Sequence, residues 1–86
     1  MNVFGYELSD WKHLNRSFYR HYLIGKYPAI SIYPNNESNS MRVFFDFNLY
    51  FIEKYLPSTI ISGNAEYAKQ YIDDFLIKMD KMKAFI

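Results

Sequence analysis

The chain contains no cysteine, only three glycines and three prolines, and no long hydrophobic run. Without cysteine it can form neither a disulfide framework nor a thiolate metal site, which favours a cytoplasmic location over a secreted one. The longest uninterrupted apolar run, Leu49 to Ile52, is far shorter than the roughly 20 residues that span a membrane. The N-terminal residues also lack the basic-then-apolar pattern of a signal peptide. We therefore predict a cytoplasmic protein with no membrane partner.

An excess of charge of either sign is also missing. Ten basic and nine acidic residues give a formal net charge of +1, so no overall field draws the chain to DNA or to an anionic membrane. Half of the 86 residues are hydrophobic, which is the composition of a globular protein. This length is enough for one core, and we predict a single domain that spans residues 1–86.

Aromatic residues are what the sequence has in abundance. Nine tyrosines, eight phenylalanines and Trp11 make 21% of the chain aromatic. Each ring carries roughly 150–250 Å² of surface, and a chain of this size buries only about 60–65% of the surface that its unfolded form exposes. Some tyrosines must therefore lie at the surface, where tyrosine is a frequent contact residue of interfaces.

A stripe of apolar residues near the C-terminus recurs at intervals of four and three, which indicates a helix. Its members are Ala68, Ile72, Phe75, Met79, Met82 and Ile86. Asn64 precedes the stripe and is a candidate N-cap. Acidic residues come first in this segment and lysines last, which suits the helix dipole. We predict a long C-terminal helix whose stripe packs on a sheet.

Two central segments alternate in the manner of strands. Residues 27–33 form the first, which should begin at Pro28 or lie at a sheet edge and should end at Pro34. A polar cluster separates it from residues 41–47, where Val43 and its alternate neighbours face one way and Arg42 and its neighbours the other. The two segments predict an antiparallel hairpin.

Two further stretches are compatible with either element. Residues 10–24 could form a helix capped by Ser9, or a strand over 17–24 that pairs with 27–33 through a Gly25-Lys26 turn, and the aromatic and β-branched content slightly favours the strand. Residues 49–56 could form a short helix or a strand, and 58–62 a short extended link. All of these alternatives give an α+β fold, with a small antiparallel sheet of three or four strands packed on the long C-terminal helix.

One stretch of the chain is basic, aromatic and free of acid. No Asp or Glu occurs between residues 11 and 36. Arginine and tyrosine are the usual anchor residues of protein interfaces, and cations interleaved with rings also suit single-stranded nucleic acid. The predicted partner-binding residues are Arg16, Tyr19, Arg20, Tyr22, Lys26, Tyr27, Tyr33 and Arg42.

No residue pattern indicates catalysis. His13 and His21 are eight residues apart and lack further ligands nearby, so a metal site is not predicted. Asp73 and Asp74 are adjacent on the predicted helix and should diverge by about 100° on a solvated face. The isolated glycines cannot form a phosphate-binding loop. We therefore predict no enzyme activity, no cofactor and no metal.

The composition also resembles a class of proteins. Forty-four residues are of the types with AT-rich codons (Phe, Tyr, Met, Ile, Asn and Lys), against 13 of Gly, Ala, Arg and Pro. Small, cysteine-free α+β chains rich in Tyr and Asn resemble phage-encoded inhibitors of host enzymes, anti-CRISPR proteins among them. The resemblance implies a non-catalytic viral protein that blocks a site on a larger host protein or nucleoprotein complex, as a monomer or homodimer. The alternatives are a small single-stranded nucleic-acid-binding module and a structural homo-oligomer subunit.

Overall fold

The computed structural model of the chain describes residues 1–15, 17–21, 27–36 and 39–82. The strands within these residues are β1 (Asn2–Val3), β2 (Tyr6–Glu7), β3 (Lys12–Leu14), β4 (Ser17–His21), β5 (Pro28–Asn35), β6 (Ser40–Phe45) and β7 (Ile60–Ser62). The helical segments are a 3-10 turn (Phe47–Leu49), α1 (Tyr50–Glu53) and α2 (Ala65–Met82). The predicted α+β class and long C-terminal helix are confirmed.

The strands form two antiparallel sheets. β1 and β2 make a two-stranded hairpin, and the other five lie in the order β3-β4-β5-β6-β7, so each strand pairs with its neighbour in the chain. The prediction of three or four strands was therefore too low. β3 and β7 are the two edge strands and have only three residues each, too few for a period-two pattern to distinguish them from loops.

The predicted hairpin is formed by β5 and β6, with Ile32 paired with Val43. β5 begins at Pro28 as predicted, but it does not end at Pro34, because the strand continues to Asn35. The β4 register reaches only to Ile32, so at Pro34 β5 pairs with β6 alone within the described residues. Proline is tolerated where one side of a strand has no ladder to complete.

Residues 12–14 and 17–21 are strands, so the helical alternative for this region is wrong. The favoured strand is confirmed over 17–21 and pairs with β5, while residues 22–24 and the Gly25-Lys26 turn lie outside the described residues. Ser9, the expected helix cap, has a different role. Its hydroxyl accepts a hydrogen bond from the His21 backbone N–H at 2.9 Å, and its own N–H donates to the His21 carbonyl at 2.7 Å.

In the region 49–56 the helical alternative is correct and the strand alternative is wrong, but the helix is shorter than predicted, because α1 ends at Glu53. Its apolar residues Leu49, Ile52 and Leu56 are buried and fix the segment to the core. The extended link predicted over 58–62 contains β7, which pairs with β6.

The predicted N-cap of α2 is confirmed, because the Tyr67 N–H donates to Asn64 Oδ1 at 2.9 Å. Its buried residues are Ala68, Ile72, Leu76 and Met79. Phe75 of the predicted stripe is half-buried, Met82 is 56% exposed and Ile86 lies outside the described residues. The buried face is thus centred closer to Leu76 than the stripe predicted.

The core lies between α2 and one face of the five-stranded sheet, the inner face. Ile30, Ile32, Val43 and Phe45 point from β5 and β6 into this layer, and the Phe45 ring meets the Phe75 ring of α2 edge-on, with centroids 6.1 Å apart. Complete burial of one such side chain contributes about 1.5–3 kcal/mol. The alternation of β5 and β6 therefore determines which face of the sheet α2 covers, and the period of α2 determines which side of the helix packs on it.

Candidate functional site

Several of the predicted binding residues lie on the face of the sheet that points away from α2. In β6, Arg42 and Phe44 alternate with buried residues and are exposed. Residues paired directly across an antiparallel ladder project from the same face. Tyr33 pairs with Arg42, while Ser31 pairs both with Phe44 and with Tyr19. The rings of Tyr19, Tyr33 and Phe44 therefore share one face with the Arg42 guanidinium.

This face extends to both edges of the sheet. Lys12 of β3 pairs with Tyr19, and Leu14 lies two residues further on the same side. At the opposite edge, Ile60 of β7 pairs with Arg42. Phe44 and Leu14 are more than half exposed and Ile60 is also exposed. We call this set the outer face: Lys12, Leu14, Tyr19, Tyr33, Arg42, Phe44 and Ile60.

The outer face carries positive charge alone. Lys12 and Arg42 both project from it, and none of its paired strand positions in the described residues carries Asp or Glu. A one-signed charge distribution attracts a partner surface of the opposite sign and raises its association rate. The arrangement combines large apolar contacts with a preference for an acidic surface.

The structure brings together three of the predicted binding residues, Tyr19, Tyr33 and Arg42. Tyr27 is 69% exposed but precedes β5 and pairs with no strand in the described residues. Arg16, Tyr22 and Lys26 lie outside the described residues. The sequence prediction missed Phe44, although the alternation that buries Phe45 already placed Phe44 on the opposite side.

Arg20 is different from the other candidates, because it points inward and is only 3% exposed. It lies on the same side of β4 as Phe18, which packs against the core. Its Nη2 donates to Asp73 Oδ1 of α2 at 2.6 Å, and its Nη1 donates to the Ser9 carbonyl at 3.0 Å. Arg20 is therefore an internal residue here and does not contribute to the outer face.

Trp11 completes this internal cluster. Its Nε1–H donates to Asp73 Oδ1 at 3.1 Å, and the Arg20 guanidinium carbon lies 4.6 Å from the centre of its ring. Burial lowers the pKa of the Arg20 guanidinium, an effect that the charges of Asp73 and Asp10 oppose. Burial likewise raises the pKa of Asp73, while Arg20 and the Trp11 N–H act in the opposite direction.

The prediction that Asp73 lies on a solvated helix face was wrong, because Arg20 and Trp11 cover it. The expected divergence of the two aspartates is confirmed, since Asp74 turns outward and accepts a hydrogen bond from Gln70 at 2.9 Å. The carboxylate of Asp73 is engaged by two donors from other elements. These two hydrogen bonds connect α2 to Trp11 and to β4, so Asp73 has a structural role.

Each of the two histidines lies against an aromatic ring. His13 stacks on Phe18 with ring centroids 4.7 Å apart, and His21 lies beside the Tyr19 ring at 6.1 Å. Within the described residues, no three His, Asp or Glu side chains converge in a way that could hold a metal ion.

A second surface feature lies beside α2. A groove of about 400 Å³ separates the helix from the segment between α1 and β7. It is lined by Tyr55, Pro57, Tyr71, Asp74, Phe75, Lys78 and Met79, and we call it the helix groove. The sequence did not predict it, because Tyr71 and Lys78 fall outside the apolar stripe.

Comparison of the chain with protein-family models, curated proteins and solved structures gave no match. In the part of the chain that the structure describes, no helix has the length and apolar character to cross a membrane.

Proposed function

We infer that the chain is a non-catalytic protein-binding domain that covers a site on a larger protein, of the kind that phages and mobile elements encode to inhibit host enzymes. The observation that carries this proposal is the outer face. Three rings, two aliphatic side chains and two cations project from one side of a sheet whose other side is closed by α2. Exposed apolar groups that cluster in this way mark interaction sites.

The rigidity of the surface supports binding by preformed contacts. Tyr33, Arg42 and Phe44 lie on β5 and β6, which share the longest register of the sheet, so their backbone positions are held by β5–β6 pairing. Tyrosine and arginine are enriched among residues that dominate binding energy. Because the paired backbone has little freedom left to lose, association on such a surface costs less backbone entropy than on a loop.

The charge of the outer face indicates the kind of partner. Lys12 and Arg42 favour a partner surface of the opposite charge. We therefore expect the partner patch to carry Asp or Glu around an apolar centre. The composition of the chain, with its AT-rich codon types, supports a low-GC bacterial host as the source of that partner.

The test uses the purified chain as bait in lysates of low-GC bacteria, followed by assay of the captured protein. Wild type should retain one protein in stoichiometric amount and reduce its activity. Phe44→Ser should abolish both effects, because Phe44 is the most exposed Phe or Tyr ring among the described residues of the five-stranded sheet. Tyr50→Ser is the matched control, since Tyr50 is 64% exposed on α1 and lies outside the sheet. Equal capture by both variants, or no stoichiometric protein at all, would count against the proposal.

A second candidate function is single-stranded nucleic acid binding on the same face. Rings on three adjacent strands, flanked by two cations, could stack on bases while the cations contact phosphates. This alternative predicts that oligonucleotide affinity falls steeply with salt. Titration of a labelled oligonucleotide at two salt concentrations distinguishes it from the protein-binding function, which predicts no binding even at low salt.

A further inference from the structure

The exposed side of α2 carries apolar side chains that the core does not use. Tyr67, Ile77 and Met82 are all exposed on the helix. The helix groove continues along α2 into a second depression of about 340 Å³, which is lined by Asp74, Ile77, Lys78, Lys81 and Met82. The two depressions share Asp74 and Lys78, so these charges lie at the centre of one continuous surface. We call it the helix surface.

Asp74 and Lys78 carry opposite charges, so a second copy of this surface can offer a counter-charge to each. Asp74 and Lys78 are one helical turn apart, and among the described residues Lys78 has no ion-pair partner within 4 Å. If two copies of α2 lie antiparallel about a twofold axis midway between these positions, Asp74 of each copy faces Lys78 of the other. The dimer contact would thus contain two equivalent Asp74–Lys78 ion pairs.

The same register matches further residues. A pairing that opposes 74 with 78 also opposes 71 with 81, so the Lys81 ammonium of one copy meets the Tyr71 ring of the other, a favourable cation–π geometry. Depressions between the side-chain rows of one helix accept the rows of another. The exposed Ile77 and Met82 side chains of both copies then leave water.

We propose that the helix surface binds a second copy of the chain and forms a symmetric dimer through antiparallel α2 helices. The surface shares Phe75, Met79 and Met82 with the apolar stripe. It is nevertheless centred on Asp74 and Lys78, whereas Ala68 and Ile72 of the stripe are buried in the core. The outer face lies on the opposite side of the sheet and stays accessible, so the dimer presents two binding faces. Linked faces increase apparent affinity for a repeated target. The dimer does not depend on the proposed function.

The oligomeric state tests the proposal directly. Sedimentation equilibrium over a concentration series should give wild type twice the 10.4 kDa mass of one chain. Asp74→Lys and Lys78→Asp each convert attraction into repulsion at both contacts, and each should raise the dimer dissociation constant on the order of tenfold or more. Phe44→Ser on the outer face is the control and should leave the dimer intact.

Mixing the two charge variants is the decisive test. Their contact positions carry opposite charges, so an equimolar mixture should form a heterodimer that neither variant forms with itself, measurable by native mass spectrometry. Circular dichroism checks that each variant is folded. If one is not, Lys81→Glu, which removes the cation–π contact with Tyr71, takes its place in the sedimentation series and should weaken the dimer. A wild type that stays monomeric, charge variants that stay dimeric, or a mixture without heterodimer would each overturn the proposal.

Discussion

Arg20 of β4 and Asp73 of α2 form an ion pair across 53 residues of sequence, with Nη2 2.6 Å from Oδ1. The guanidinium side chain is almost fully buried, and the carboxylate is about three-quarters buried. Trp11 shares the same carboxylate oxygen, so strand, helix and N-terminal segment meet at one atom. Arg20 and Asp73, which the sequence predicted to be exposed, thus form an internal ion pair.

Asp73→Ala should destabilise the fold by about 3 kcal/mol, because it leaves the Arg20 charge buried without its partner. The double variant Arg20→Met with Asp73→Ala should recover part of this loss, since no unpaired charge remains. Urea unfolding measures both. Asp74→Ala, at the next position but exposed, is the control. At a protein concentration low enough for the chain to be monomeric, it should change the free energy of unfolding by no more than about 0.5 kcal/mol. Equal effects at 73 and 74 would contradict the role of the pair.

Phe44 and Phe45 provide a comparison of the two faces of the sheet at adjacent positions. Phe45 is 1% exposed and Phe44 is 56% exposed. Phe45→Ala should cost about 3–5 kcal/mol of stability through the cavity it leaves. Phe44→Ala should cost less than about 1 kcal/mol. Chemical denaturation of both variants checks the difference, and a reversed order would show that the faces are assigned wrongly.

Asn64→Ala should destabilise α2 by about 1 kcal/mol, because the Tyr67 N–H loses its acceptor. Asn64→Ser retains a side-chain oxygen at the same position and should restore most of the loss. Thermal unfolding followed by circular dichroism at 222 nm reports on the helix. If serine is no better than alanine, the cap does not act through this hydrogen bond.

Gly63→Ala should be more destabilising than Gly5→Ala. Both glycines have positive φ, 118° and 80° respectively, which strains any other residue. At Gly63 an added Cβ would also lie 3.2 Å from the Tyr67 ring, whereas nothing lies within 4 Å at Gly5. We expect a cost of about 1–3 kcal/mol for backbone strain alone and an additional cost at Gly63. Adding Tyr67→Ala should remove only that additional cost.

The sequence predicted those parts of the fold that repeat over several residues. The alternation of 41–47 identified β6 and its buried side, although β6 ends at Phe45. The four-and-three spacing identified α2, although its buried face is centred closer to Leu76. The same alternation could have added Phe44 to the site. β3 was missed, and β7 was predicted only as an extended link, because three residues do not establish a period.

Arg20 shows what local patterns cannot provide. The sequence alone does not show whether a charged residue of a strand points inward or outward, because a shift of the register by one residue exchanges the two sides. Its partner Asp73 is far away in the chain, and neither residue has a neighbour that indicates the other. The helix surface was missed for a related reason, since it combines residues from α2 with the segment after α1.

The order of the elements along the chain has a consequence for synthesis. All five strands of the larger sheet are made by Ser62, while α2, which covers their inner face, follows from Ala65. Until the helix emerges from the ribosome, the inner face with Ile32 and Phe45 is as open to water as the outer face. A chain that stops at residue 63 would therefore be expected to aggregate through both faces of its sheet, and it should be soluble again when a peptide of residues 64–86 is supplied.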